Sequence, residues 1–188
     1  MRTIVLVEGV TDQLALTLAA RRLGRDLDAE GVTIVPIHGA HAINRFLREM
    51  SAEDLTARLA GLYDEGEEDV VRSALERAGF APNLDRSGLE AVGFFACVVD
   101  LEDELIRAAG DDNLTRLIEQ EGDATPWRRF RNQHTWNGRP VAAQFHRFIR
   151  SVSDRNGRYI RAMVESIDLA SMPRPFRLLL EYVDPTAA

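Results

Sequence analysis

The chain has 188 residues, enough for one well-buried domain or one domain with a small appendage. Its 45% hydrophobic and 28% charged residues are those of an ordinary globular protein. All 23 basic residues are arginine, and without lysine the chain cannot build the phosphate-binding loop of a P-loop ATPase. The net charge of −7 argues against nucleic acid until it is divided along the chain. Through Gly122 there are 24 acids against 12 arginines, and from Asp123 onward 6 against 11. An acidic first part beside a basic tail suits a metal and a phosphodiester better than the total suggests, although a solvated acidic surface beside an arginine-rich helix would look the same. The lone Cys97 sits in an apolar run, which excludes a disulfide framework and a cysteine zinc site. No apolar stretch approaches membrane-spanning length, and Glu8 interrupts any signal-peptide layout, so the expectation is a cytoplasmic protein with no membrane partner.

In chain order, Thr3-Ile4-Val5-Leu6-Val7 reads as a buried strand. Glu8 ends it, Gly9 permits a turn, and Thr11 is the expected cap of a helix over residues 12–23. A second strand is predicted over 32–37, where Pro36 indicates an edge or a bulge. His38 and His41 stand in a loop without a third nitrogen or sulfur ligand, so they read as turn or phosphate-proximal residues rather than zinc ligands. Ile43, Phe46, Leu47 and Met50 mark the helix that follows. The third strand covers 59–63 and ends at Asp64, with a helix over 67–78 behind it. Asp85-Arg86-Ser87-Gly88 reads as a turn, and 92–99 is the most strand-like run of the chain. It ends at Asp100, where a helix to about residue 109 begins.

Alternating strands and helices predict an α/β fold with a mostly parallel sheet of about four strands. After Asp111 the pattern changes to helical patches at 114–121, 141–152, 159–167 and 176–183. The domain reading is therefore a catalytic unit over 1–110 and a helical C-terminal extension over 111–188 packed on it.

Three of the four predicted strands end in acid: Glu8 with Asp12, Asp64 with Glu67, and Asp100 with Glu102. Strands lie about 5 Å apart, so these groups can converge within about 10 Å at one sheet edge. Converging carboxylates raise one another's pKa unless a cation neutralises them. An oxygen-only set favours magnesium or manganese over zinc. Two such ions could clamp the attacking and leaving oxygens of a phosphodiester. Taken alone, Asp12 reads as a complement to the helix dipole and Glu8 as a solvent-facing residue.

Leu6-Val7-Glu8-Gly9-Val10-Thr11-Asp12, Gly61-Leu62-Tyr63-Asp64-x-x-Glu67 and Val99-Asp100-Leu101-Glu102-Asp103-Glu104-Leu105 together resemble the TOPRIM domain of topoisomerases, primases and related nucleases. Within that group the chain is most similar to the overcoming-lysogenization-defect (OLD) nucleases, chiefly over residues 2–110. The resemblance implies a TOPRIM-like (Rossmann-like) fold. It implies a nuclease that cuts DNA with two Mg2+ or Mn2+ ions, in genome maintenance, DNA repair or phage defence. Glu8 would be a metal ligand and general base, with Asp12, Asp64, Asp100 and Glu102 as further ligands. Where the family shows Asp-x-Asp, Gly66 intervenes here, so Glu67 or Glu65 would substitute. The family's tail lysine has no counterpart, and Arg158 or Arg161 would supply its charge but no transferable proton. OLD proteins carry an ATPase domain ahead of the TOPRIM domain, so the expected partners are DNA and a separate ABC/SMC-like ATPase subunit, with a homodimer left open.

In the tail, Arg128, Arg129, Arg131 and Arg147 are candidate phosphate contacts. Trp127, Phe130, Trp136, Phe145 and Phe148 read either as base-stacking residues or as helical core. Two other functions stay open: RNA cleavage or nucleotidyl transfer by the same metal clamp, and a non-cleaving module that binds DNA or an ATPase.

Overall fold

The computed structural model describes residues 2–50 and 56–185. Four strands, β1 (Thr3–Val7), β2 (Val32–Pro36), β3 (Arg58–Asp64) and β4 (Phe94–Cys97), form one sheet in the order β2-β1-β3-β4. Every pairing is parallel. This is the α/β sheet with flanking helices and a helical C-terminal part that the strand–helix alternation predicted. Pro36 ends the edge strand β2, where its missing N–H costs no ladder bond. The chain runs outward from β1 to β2 and returns past β1 to β3. The switch point of the sheet therefore lies between the carboxyl ends of β1 and β3, where open α/β sheets bind ligands.

Alternation along the strands feeds two cores. Ile4, Leu6, Leu59, Tyr63 and Phe94 face one side, against α2 (Ile43–Glu49), α3 (Glu68–Arg77) and α4 (Arg86–Ala91). Val5, Val7, Ala60, Leu62, Phe95 and Cys97 face the other, against α1 (Val10–Arg22), α5 (Leu101–Gln120) and the tail helices. A Cβ on Gly61 would lie 2.8 Å from the Phe94 ring and 2.9 Å from the Leu6 carbonyl, so only glycine lets β3 sit between them.

The tail helices are α6 (Ala124–Arg131), α7 (Val141–Ile149), α8 (Ser153–Ser166) and α9 (Arg174–Tyr182). Their residues Phe145, Tyr159, Met163, Phe176 and Leu179 are buried in the same cluster as β1 and α1. Polar ties reinforce the join: an Arg22 guanidinium N–H donates to the Val164 carbonyl at 2.7 Å, and one of Arg58 to that of Tyr182 at 2.8 Å. The sheet and the extension thus share one core.

Four local expectations are corrected. Thr11 does not cap α1; Gly9 is the N-cap, and its N–H donates to Asp12 Oδ2 at 2.8 Å. The Asp85–Gly88 turn is the start of α4, because Asp85 accepts from the Gly88 N–H at 2.7 Å and Leu89 is buried beneath. The helices expected over 101–109 and 114–121 are one element, α5, kinked at Gly110 with φ 72° and ψ 156°. The Trp127 segment forms α6, a helix the periodicity did not isolate because it has only eight residues.

Candidate active site

Glu8 follows β1, Asp64 ends β3, and Asp100 lies three residues past β4 as the N-cap of α5. An open cleft of about 340 Å³ at this edge is lined by Glu8, Asp12, Asp64 and Glu102, together with Arg150, Val152 and Asn156 from the tail. Asp12 reaches it because its carboxylate folds back to the Gly9 N–H, which turns the first turn of α1 toward the strand end. Glu102 is brought in by the first turn of α5, where its Oε1 accepts from Asn156 Nδ2 at 2.8 Å. The amide oxygen of Asn156 is itself buried and meets no donor among the described residues, so the cleft holds an acceptor in want of a partner.

The carboxyls are strongly perturbed. Burial pushes Asp64 up to about 7, helped by the charges of Glu8, Asp100, Asp12 and Glu102. Burial also carries Asp12 to about 7, against the lowering effect of the Gly9 N–H. Glu8 is raised by burial and by the neighbouring charges of Glu67 and Glu102. Asp100 is the exception: burial pushes it up, yet His146, the Asp103 N–H and Arg150 together hold it below its ordinary value. His146 Nε2 lies 2.8 Å from Asp100 Oδ2, an Arg150 N–H donates to the same oxygen at 2.7 Å, and the Asp103 N–H donates to Oδ1 at 2.8 Å. In return, the Asp100 carboxylate raises His146 above its ordinary value.

The acids are oxygen donors of one kind, and their mutual repulsion is what a bound cation relieves, so the set fits a hard divalent ion in kind. Among the described residues, however, no three acid, histidine or cysteine side chains already stand as a coordination shell. Glu67 does not line the cleft; it reaches Glu8 only through its charge. Glu65 is paired with Arg86 at 2.9 Å.

The expected cationic residues lie elsewhere. Arg158 donates to Glu121 and, at 2.8 Å, to Asp123, anchoring α8 to the end of α5. Arg161 is an exposed partner of Glu165 at 3.8 Å. Neither lines the cleft, whose arginine is Arg150. His146, Arg150 and Asn156 were missed because they lie 46 to 54 residues beyond the acids they touch. The i,i+4 spacing of His146 and Arg150 was the available signal. Arg128, Arg129 and Arg131 stand on α6, and Arg147 on α7, away from the cleft lining. The aromatics are core: Trp127, Phe130, Phe145, Phe148 and Tyr159 pack ring against ring, with Phe145 and Phe148 buried.

A parallel four-stranded sheet flanked by helices, with acids gathered at its switch point, is a TOPRIM-like α/β fold. Residues 1–65 match the family described as overcoming lysogenization defect protein-like, TOPRIM domain. The fold of nearly the whole chain is that of C-terminal regions of OLD proteins. The region from Xanthomonas campestris pv. campestris superposes with a TM-score of 0.75 at 21% identity, covering 97% of this chain and 91% of that one. The region from Burkholderia pseudomallei gives 0.71 at 18% identity, covering 100% and 98%. A comparison with curated proteins finds no match. No helix among the described residues is long and apolar enough to cross a membrane.

Proposed function

We propose that the cleft at the β1–β3 switch point binds magnesium or manganese and that the protein hydrolyses DNA phosphodiester bonds, as the OLD-family TOPRIM resemblance implies. The observation that carries this reading is the gathering of Glu8, Asp12, Asp64 and Glu102 around one open cleft, where burial and mutual repulsion push Asp64 up. A site so charged is costly unless its function is to receive a cation. Glu8, Asp12, Asp64 and Glu102, with Asp100 when released, are the residues that would hold up to two ions. Bound there, the ions supply charge neutralisation and an activated water. Glu8 lies at the strand end where its carboxylate can accept the proton of the attacking water. Arg150, the cation of the cleft wall, offers its guanidinium to the phosphate and to the charge that builds on it, taking the place assigned from sequence to Arg158 or Arg161. Arg128, Arg129, Arg131 and Arg147 would hold flanking phosphates.

The test is nicking of supercoiled and linear DNA with manganese, beside an RNA control. Glu8→Gln should reduce cleavage by at least about a hundredfold while leaving the fold and DNA affinity intact, because the amide keeps the shape and removes the proton acceptor. Arg150→Ala should lower cleavage and flatten the salt dependence of binding. Cleavage that survives Glu8→Gln rules out this mechanism.

A second reading, a module that binds DNA without cutting, is favoured by one observation. Asp100 is already engaged by His146 and Arg150, and no coordination shell is assembled. Binding without cleavage under every metal condition would establish it.

A further inference from the structure

A second built pocket, of about 270 Å³, lies in the helical extension between the end of α5, α6 and α7. Its floor holds Gln144, which is 1% exposed. The orientation of that amide is fixed, because its Nε2 donates to the Trp136 carbonyl at 2.6 Å and a flip would set oxygen against oxygen. Its Oε1 is therefore left buried with no donor among the described residues. An amide oxygen orphaned in this way costs roughly 1–3 kcal/mol until something donates to it.

The rest of the lining is of a different kind. Arg128 and Arg131 bring two guanidinium groups to the pocket against the single carboxylate of Glu119, and Asn132 and Asn137 add amides. Among the described residues Arg128 forms no ion pair, and Arg131 lies over the Trp127 ring at 5.6 Å instead of against an acid. A planar guanidinium held over an aromatic ring leaves its other face for a second flat group. The site thus offers net positive charge for a phosphate, a plane for a ring and, in the lining residue Gln144, an acceptor without a donor among the described residues. The volume is just below the roughly 300–1,000 Å³ of ordinary ligand pockets, so the ligand is small.

We propose that this pocket binds a single nucleotide unit, its phosphate at Arg128 and Arg131 and a base N–H at Gln144 Oε1. The unit can be a free mononucleotide or one nucleotide of a DNA strand. The pocket is separate from the acidic cleft, and its occupancy does not require that the cleft cut anything.

The protein carries its own reporter, since Trp127 lines the pocket and Trp136, the chain's other tryptophan, supplies the carbonyl that holds Gln144. Tryptophan fluorescence of the intact chain is titrated with each deoxynucleoside monophosphate, with inorganic phosphate, and with a short oligodeoxynucleotide. At least one mononucleotide should change the fluorescence saturably, with inorganic phosphate at least tenfold weaker. Arg128→Ala with Arg131→Ala should weaken mononucleotide binding at least tenfold. Both side chains are exposed, so this variant should keep its melting temperature. Gln144→Met, checked for folding in the same way, should reduce the preference for a nucleotide over phosphate. Mononucleotide binding should be unchanged when EDTA replaces the divalent metal, which separates this site from the cleft, where bound cations would hold a phosphate. An oligonucleotide that competes more strongly per nucleotide than the monomer marks the strand as the source, and equal competition marks the free nucleotide. A parent protein that responds to no nucleotide at millimolar concentration overturns the proposal. So do phosphate binding as tight as nucleotide binding and a double arginine variant that binds unchanged.

Discussion

The two walls of the acidic cleft handle buried charge in opposite ways. On the β4 side, Asp100 is met by His146, Arg150 and the Asp103 N–H, and Glu102 is met by Asn156. On the β1–β3 side, Asp12 has only backbone N–H groups, chiefly that of Gly9, and Asp64 has the negative charges of four other acids bearing on it. The tail therefore neutralises one wall and leaves the other under tension. A fold that merely tolerated acids at a sheet edge would let both walls relax. The unpaired wall is where an external cation gains most.

The largest effect expected from this contrast is a difference of sign. Asp100→Asn removes the acceptor of two cationic side chains and should destabilise the protein by about 1–3 kcal/mol, the cost of leaving partly buried donors short of a partner. Asp64→Asn removes a charge that burial and its neighbours oppose. It should stabilise the metal-free protein by about 1–2 kcal/mol, after discount for solvent screening around a half-exposed group. For a chain of this length each kcal/mol moves the melting temperature by about 2–4 °C, so the two variants should part in opposite directions in a thermal melt. Equal shifts would mean that the two walls are alike.

Proton linkage sharpens the same contrast. Asp12 and Asp64 titrate in the folded protein near 7 instead of 3.8, so their ionisation weakens the metal-free fold as pH rises from about 4 to about 7. His146 is raised from 6.5, so the stability it gains from Asp100 is present below 6.5 and is lost as pH climbs through its folded value. Asp100 is lowered, and its contribution is lost only in acid, below 3.8. The metal-free protein should thus be most stable in mildly acidic solution. Manganese must displace the protons on Asp12 and Asp64, so its affinity should rise by roughly tenfold or more between pH 6 and pH 8. Melting curves with and without manganese at both pH values read this directly. A metal-induced shift that is the same at both would detach the metal from these acids.

What the sequence showed of this arrangement follows from distance along the chain. The unrelieved wall was legible because Glu8, Asp12 and Asp64 sit within or just beyond short β-branched or apolar runs, and strand ends are local features. The sheet was legible for the same reason, down to Pro36 on an edge strand. The relieved wall was not. His146, Arg150 and Asn156 reach Asp100 and Glu102 only because α7 and α8 pack on α5, and nothing in a helical pattern says which face meets which neighbour. Arg158 followed from a motif analogy, and it is drawn instead to Asp123, a buried carboxylate that also accepts from Tyr159 and Arg155. Charge alone could not rank one tail arginine above another.

The smallest expected effect lies in the two residues that lead into the relieved wall. Val99 has φ 70°, a left-handed backbone conformation that a β-branched side chain adopts only under strain, at a cost of about 1–2 kcal/mol. Its side chain is 57% exposed, so packing does not repay that strain. What holds the segment is polar: the Val98 N–H donates to Glu104 Oε1 at 2.9 Å, and Asp100 next in line caps α5. Together these aim the Asp100 carboxylate at His146 and Arg150. Val99→Gly removes the strain but adds about 0.5–1 kcal/mol of backbone entropy to the unfolded chain, so the net gain in stability should be about 1 kcal/mol or less. If the strain serves only to set the direction of Asp100, the glycine variant should melt slightly higher and still show the raised His146 pKa by NMR titration. A variant that melts lower, or whose His146 returns to its ordinary value, would show that the Val99 side chain itself holds the wall in place.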